Sequence, residues 1–299
     1  YRSKELNMAE KTIYLPKKVC IGVEQLTVKY EYFSGFALSQ KQKSINSLHK
    51  ATKKIYNISN ILEVSTKSTT ECGVLLSAFN LLNNGYSVEQ VFQAGKVFEN
   101  GGPYIDLLEK SSKEAKTDLR LKSSGSIISF KYQNIEFPIE PKTYFYDWLY
   151  SNALLENKDL LNKALEFEAF SDIEFNEKKS INCQAYSLAL FCSIVKNKPE
   201  LLNSTSVDKE YFLNLCLNEY KARKFSNVLN KSLVSSNNSK SSLPKIKKII
   251  KNLSKVELEL NQLFQQNNIE NTVNLHNKTI KETTETIKKA KTDLMNLLK

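Results

Sequence analysis

Tyr86-Ser87-Val88-Glu89-Gln90-Val91-Phe92-Gln93-Ala94-Gly95-Lys96-Val97-Phe98, continued by Glu99-Asn100-Gly101-Gly102-Pro103, is the stretch on which the reading of this chain turns. Ser87 followed three residues later by Gln90 forms a capping box, in which each side chain serves the other residue's backbone N–H, so a helix starts here. Gly101-Gly102-Pro103 supplies the stop. On a helix so bounded, Glu89, Gln93 and Lys96 stand at i, i+4 and i+7 and share one face over two turns. Val88, Val91, Phe92 and Phe98 fill the rest. A polar stripe therefore crosses an otherwise apolar helix, and a carboxylate and an ammonium taken out of water need partners or a ligand. The competing reading is a solvated face on which Glu89 and Lys96 hold each other loosely.

Outward from this helix the pattern predicts an α+β fold, predominantly α-helical, with a small β component. Short β-rich runs occupy Val19–Val23 and Leu26–Tyr32, punctuated by Pro16 and Gly22, and Ile61–Ser65 reads as another strand. A hairpin is expected over Ile127–Ile139 across a Gln133-Asn134 turn, setting Ile128, Phe130 and Tyr132 against Ile135 and Phe137. Helical spacing covers Ser39–Ile55, Ser87–Glu99, Tyr104–Leu121, Lys142–Leu155, Asp159–Phe167 and Ile181–Lys196. Residues 1–11 are set aside as disordered or non-native, with Met8 a candidate initiator. The catalytic domain is expected over residues 12–219. A Ser/Asn/Lys-rich linker follows at 220–243, and then a basic helical hairpin or coiled coil at 244–299, through which copies of the chain could associate.

Composition narrows the chemistry. Of the net charge of +11, residues from Tyr220 onward hold 16 Lys+Arg against 6 Asp+Glu, so the tail is basic and the preceding part nearly neutral. No apolar run approaches the length of a membrane span. Five scattered cysteines without C-x-x-C spacing point to a reducing, cytoplasmic setting. The two histidines, His49 and His276, leave little for a metal site, so no metal or other cofactor is expected.

The chain resembles the NADAR family, in the branch found beside DarT-type DNA ADP-ribosyltransferase toxins. The resemblance rests on Lys67-Ser68, Gly73-Val74, Leu76-Ser77-Ala78-Phe79-Asn80-Leu81, Val88-Glu89, Phe92-Gln93, Lys96 through Tyr104, and Lys116-x-Asp118-x-Arg120-Leu121. It continues in Glu140-Pro141-Lys142, Tyr146-Asp147-Trp148-Leu149-Tyr150, Ala169-Phe170-x-Asp172-Ile173-Glu174-Phe175-Asn176 and Lys179 through Ala185. These blocks run in order from about residue 30 to 195, and none lies past about 220.

The resemblance implies hydrolysis of an N-glycosidic bond between ribose and a nitrogen, with ADP-ribosylated guanine in DNA as substrate, in an antitoxin or a counter-defence protein. A cognate DarT-type toxin is the implied partner. Glu89 and Lys96 map onto the family's acid/base and lysine positions. Cleavage builds oxocarbenium-like charge that a carboxylate stabilises while it moves a proton. A lysine can attack the anomeric carbon and hold the opened sugar as an imine, or act by charge alone. The covalent route needs burial, since only about one unperturbed lysine in two thousand is neutral at pH 7.

Candidate binding residues are Asn80, Gln93, Gly101, Gly102, Arg120, Asp147, Trp148, Asp172 and Asn182. Gly101-Gly102-Pro103 could cradle a pyrophosphate at a helix start, or be a plain turn. Arg120 offers a bidentate fork, or is a surface arginine. Trp148, with Tyr144, Tyr146 and Tyr150, offers stacking faces, or core. Asp172 and Asn182 could cap the helix that follows, and Asp147 could pair with Lys142 or Tyr150. Two alternatives stay open: an N-glycosidase like those of the riboflavin pathway, and a non-catalytic protein whose basic tail binds nucleic acid or a partner.

Overall fold

A computed structural model describes residues 7–177 and 180–235, with side chains as far as Lys224. The chain opens on a long antiparallel hairpin, β1 (Met8–Pro16) and β2 (Val23–Glu31), registered from Met8↔Glu31 to Pro16↔Val23. The first strand thus begins inside the segment that the sequence reading set aside. Most of Val19–Val23, expected as strand, is the turn instead, closed by the Lys17 N–H on the Gly22 carbonyl. Helix α1 (Leu38–Tyr56) lies where its spacing predicts and buries Ile45 and Leu48 with Ile13, Val28 and Tyr30 of the hairpin. Strand β3 (Ile61–Glu63) pairs in parallel with β9 (Ala169–Ser171), giving a four-stranded sheet ordered β2-β1-β9-β3.

After α2 (Glu71–Leu75), a two-residue hairpin of β4 (Leu82–Asn83) and β5 (Tyr86–Ser87) feeds α3 (Val88–Ala94). The capping box is formed as expected, with the Ser87 hydroxyl accepting from the Gln90 N–H and the Gln90 side chain accepting from the Ser87 N–H. The helix expected to reach Glu99 ends at Ala94, however, and Lys96 belongs to strand β6 (Lys96–Phe98). The next expected helix, Tyr104–Leu121, is three pieces: a 3₁₀ turn (Ile105–Glu109), α4 (Ser112–Thr117) and α5 (Arg120–Ser123). Strands β7 (Ile127–Tyr132) and β8 (Ile135–Pro138) complete a sheet ordered β6-β7-β8. The Gln133-Asn134 turn has φ of 48° and 63°, both positive as a type I′ hairpin requires. Phe130 faces Phe137 and Tyr132 faces Ile135, while Ile128 is exposed.

The core is built on α6 (Tyr144–Glu156) and α8 (Gln184–Asn197), both sheathed on nearly every side: 12 of 13 residues of α6 are buried. A helix apolar all round is a central one, so these two form the axis on which the sheets and shorter helices pack. Helix α7 (Lys158–Leu165) and a 3₁₀ turn (Pro199–Asn203) complete that layer. Helix α9 (Lys209–Ser235) runs without a break through the place where the linker was expected to begin. The chain divides into units between Tyr220 and Lys221. The helical tail expected over 244–299 lies outside the described residues. All five cysteines are free. Among the described residues no helix is long and apolar enough to cross a membrane.

Candidate active site

Two loops converge on the start of α3. The Ala78 carbonyl accepts the Glu89 N–H at 2.8 Å, and the Ala78 N–H donates to the Gln184 side chain at 2.7 Å, so α8 and the loop before β4 fix where Glu89 begins. On the other side, the Gln90 amide donates to the Leu108 and Lys110 carbonyls and the Ser87 hydroxyl meets that of Ser112. The capping box therefore also anchors α4 against α3, and α4 carries Lys116.

The polar side chains form one chain of contacts. Gln93 Nε2 donates to Glu89 Oε1 at 2.7 Å, and Gln93 Oε1 accepts from Lys96 Nζ at 2.6 Å. Lys116 Nζ lies 3.4 Å from the same Glu89 oxygen. Glu89 and Gln93 are buried, at 5% and 6% exposure, and Lys96 Nζ sits 4.8 Å from the centre of the Phe92 ring. The solvated-face reading fails at Glu89: the carboxylate is inside, and the half-buried Lys96 ammonium is linked to it through an amide that faces both. Gln93, expected to touch ligand, has both ends committed to this bridge.

Lys96 reaches the group from a strand, not from a third helical turn. The chain leaves α3 at Gly95, whose carbonyl takes the Lys131 N–H of β7 at 2.7 Å; a Cβ there would lie 2.9 Å from the Lys131 carbonyl. Gly102, at φ +81°, packs so tightly on the Lys96 carbonyl that any side chain would strike it. The Gly101-Gly102 turn thus clamps the backbone of β6 from behind. It leads into a five-residue 3₁₀ turn rather than the long helix expected from Tyr104. Burial pushes the Lys96 ammonium down to about 8; Glu89 opposes this and Lys116 reinforces it.

Around this chain stand further groups. Tyr146 is buried with its ring edge-on to Phe92, and its phenol is raised by burial first and then by Glu89, Tyr150, Cys183 and Asp172. Asp172 Oδ1 accepts the Glu174 and Phe175 N–H groups, and burial together with Glu63 raises its carboxyl to about 7. Asn182, two residues before the Gln184 that anchors Ala78, keeps a buried Oδ1 with no partner among the described residues, as does the Ser77 hydroxyl beside Ala78.

Other expected site residues are used by the fold. Arg120 donates to Asp118 through Nε and to Asp106 through both terminal nitrogens, with its guanidinium 4.4 Å over Tyr104, so its fork is already filled. Asp147 is buried at 1% exposure and accepts from Ser187 and Tyr220, not from Lys142 or Tyr150. Trp148 donates its indole N–H to the Val207 carbonyl and packs on Phe137 in the core. Asn80 is exposed and bonds to the Val74 carbonyl. Sequence reasoning did not single out Lys116, and named Tyr146 only as one of several stacking faces. The only signal for Lys116 was its place in the blocks that carry the resemblance, because contacts between α3 and α4 have no short-range pattern. Among the described residues no three His, Cys, Asp or Glu gather to hold a metal.

The elements that carry the matched blocks fall within one unit around this polar chain, and the fold is that of a NADAR domain. A family model described as DarT1-associated NADAR antitoxin matches residues 9–227, and the chain belongs to that family. The match begins within β1 and ends within α9, wider at both ends than the blocks read from the sequence. A search of curated proteins found no match.

Proposed function

We propose that the protein hydrolyses the N-glycosidic bond between ADP-ribose and a guanine base, reversing the modification made by a DarT-type toxin. The observation that carries this reading is the Lys116–Glu89–Gln93–Lys96 chain, buried at Glu89 and Gln93, with its lowered Lys96 ammonium. At about 8, roughly a tenth of Lys96 is neutral at pH 7, a few hundred times more than an ordinary lysine offers. The neutral amine attacks the anomeric carbon as the bond to the guanine nitrogen breaks, and the base leaves with a proton delivered through Glu89. Ring opening leaves an imine on Nζ. Water activated by Glu89 adds to it and releases free ADP-ribose, so one water is consumed and the lysine is regenerated. Asn182 is proposed to meet the ligand, since its buried Oδ1 has no partner among the described residues, and Asp172 and Tyr146 are proposed to do so beside it.

The test is direct: incubate the protein with guanosine-ADP-ribosylated DNA and assay free ADP-ribose, with borohydride added in a parallel reaction. Release of ADP-ribose with an adduct on Lys96 supports the whole reading. Release without an adduct leaves the hydrolysis and assigns Lys96 a purely electrostatic part. No release rejects the activity in favour of a binding role. A cognate toxin as physical partner is a separate proposal, which rests on family membership.

A further inference from the structure

We infer that Lys116 is a positioning residue of this site: by holding its ammonium against Glu89 Oε1 it offsets the carboxylate's pull on Lys96 and keeps that lysine available as a free amine. The inference rests on the reading of Lys96 as the reacting amine. Lys116 and Lys96 approach Glu89 from different elements, α4 and β6, and both are coupled to Oε1, Lys116 directly at 3.4 Å and Lys96 through the Gln93 amide. A lone buried carboxylate next to a lysine stabilises the ammonium and works against nucleophilic use. A second cation on the same oxygen removes much of that effect and adds a repulsion of its own.

The charged groups that bear on Lys96 are Glu89 from α3 and Lys116 from α4. Across the sheet its partner is Phe130 of β7, beneath it lies Phe92, and from α6 the titratable neighbour of Glu89 is Tyr146. Lys116 is half-exposed, with Nζ 4.9 Å from the centre of the Phe79 ring, so its ammonium lies against an aromatic face as well as against Glu89. Its place is set by the capping box that docks α4 on α3.

The experiment reads Lys96 without substrate. Trace acetylation of the full chain across pH 6 to 11, followed by mass spectrometry of the Lys96 peptide, gives the titration midpoint of that amine. In the unaltered protein it falls near 8. Lys116→Met, which keeps an unbranched apolar side chain and removes the charge, moves the midpoint up by about half a unit or more, whereas Lys116→Arg leaves it in place. Lys116→Gln, read the same way, serves if the Met variant aggregates. Cleavage of ADP-ribosylated guanosine by Lys116→Met then falls about 3- to 10-fold at pH 7 and recovers towards pH 9.5. An unmoved midpoint in both neutral variants overturns the inference, as does a shift in Lys116→Arg as large as in Lys116→Met. If the unaltered protein releases no ADP-ribose while the midpoint still moves, the proposed activity fails and the role of Lys116 stands.

Discussion

At Lys96 burial and a neighbouring carboxylate pull one side chain in opposite directions, and burial prevails, bringing the ammonium down to about 8. Turnover is therefore expected to rise with pH through about 8 and to level off above it; a rate flat between pH 6.5 and 9 would rule out the free amine as the reacting form. Glu89→Gln keeps a hydrogen-bond acceptor for Gln93 but cannot move a proton, and Lys96→Ala removes the amine, so each should lower turnover at least 10²-fold in a protein that still folds. Near-normal turnover in either variant would show that the assignment is wrong. Asp172 makes a prediction of the opposite kind. Its carboxyl is raised to about 7 from an ordinary 3.8, so between those values the folded protein holds a proton that the unfolded chain has released. The stability this group contributes is complete below about pH 4 and is lost as pH rises through 7. Asp172→Asn, whose Oδ1 can still accept the two backbone N–H groups, should exceed the parent by about 1–3 kcal/mol at pH 8 and match it near pH 4 in denaturant titrations. An equal difference at both values would refute the buried-carboxyl reading.

At the scale of elements, local signals served well where chemistry is local. Ser87 and Gln90 mark the start of α3, Gln133-Asn134 marks the β7–β8 turn, and α1, α6, α7 and α8 follow their spacing. The spacing of Glu89, Gln93 and Lys96 did select three side chains that meet, but through the wrong geometry. Helix α3 ends early because Gly95 is captured by Lys131, some 36 residues on, and no window of sequence carries that pairing. The fold's use of Arg120, Asp147 and Trp148 was not legible for a related reason: their partners Asp106, Tyr220 and Val207 are distant in the chain, and a polar residue looks the same in sequence whether the fold or a ligand satisfies it. The glycine clamp behind β6 gives a test at this scale. Gly102→Ala places a Cβ against the Lys96 carbonyl at φ +81°, so it should cost about 1–3 kcal/mol in thermal unfolding and lower turnover by displacing Lys96. A variant with unchanged melting and turnover would mean that β6 is free to yield.

For the whole molecule the question is where the NADAR domain stops. Its end is set by side chains on the first turns of α9: Phe212, Cys216 and Tyr220 are buried in the same core as α6 and α8. The Tyr220 hydroxyl bonds to Asp147, and Glu219 accepts from Tyr186 at 2.7 Å and lies 3.7 Å from the Lys17 ammonium. Deleting the chain after Asp208 would strip these anchors and leave Asp147 short of a partner. Losing burial of roughly 2 kcal/mol per large side chain, from a domain whose net stability is on the order of 10 kcal/mol, should leave a protein that melts early or does not fold. Ending the chain after Lys221 keeps every one of those contacts. It removes most of the 16 Lys+Arg that begin at Tyr220 and make that end of the chain basic. That shorter protein is expected to cleave ADP-ribosylated guanosine at the parent rate. Its affinity for long DNA should fall, with a shallower dependence on salt, because fewer phosphate charges are neutralised. Binding titrations at two salt concentrations, run beside the nucleoside assay, separate the two effects. Loss of nucleoside cleavage from a protein that still melts cooperatively would place part of the site beyond Lys221 and break this division of the chain.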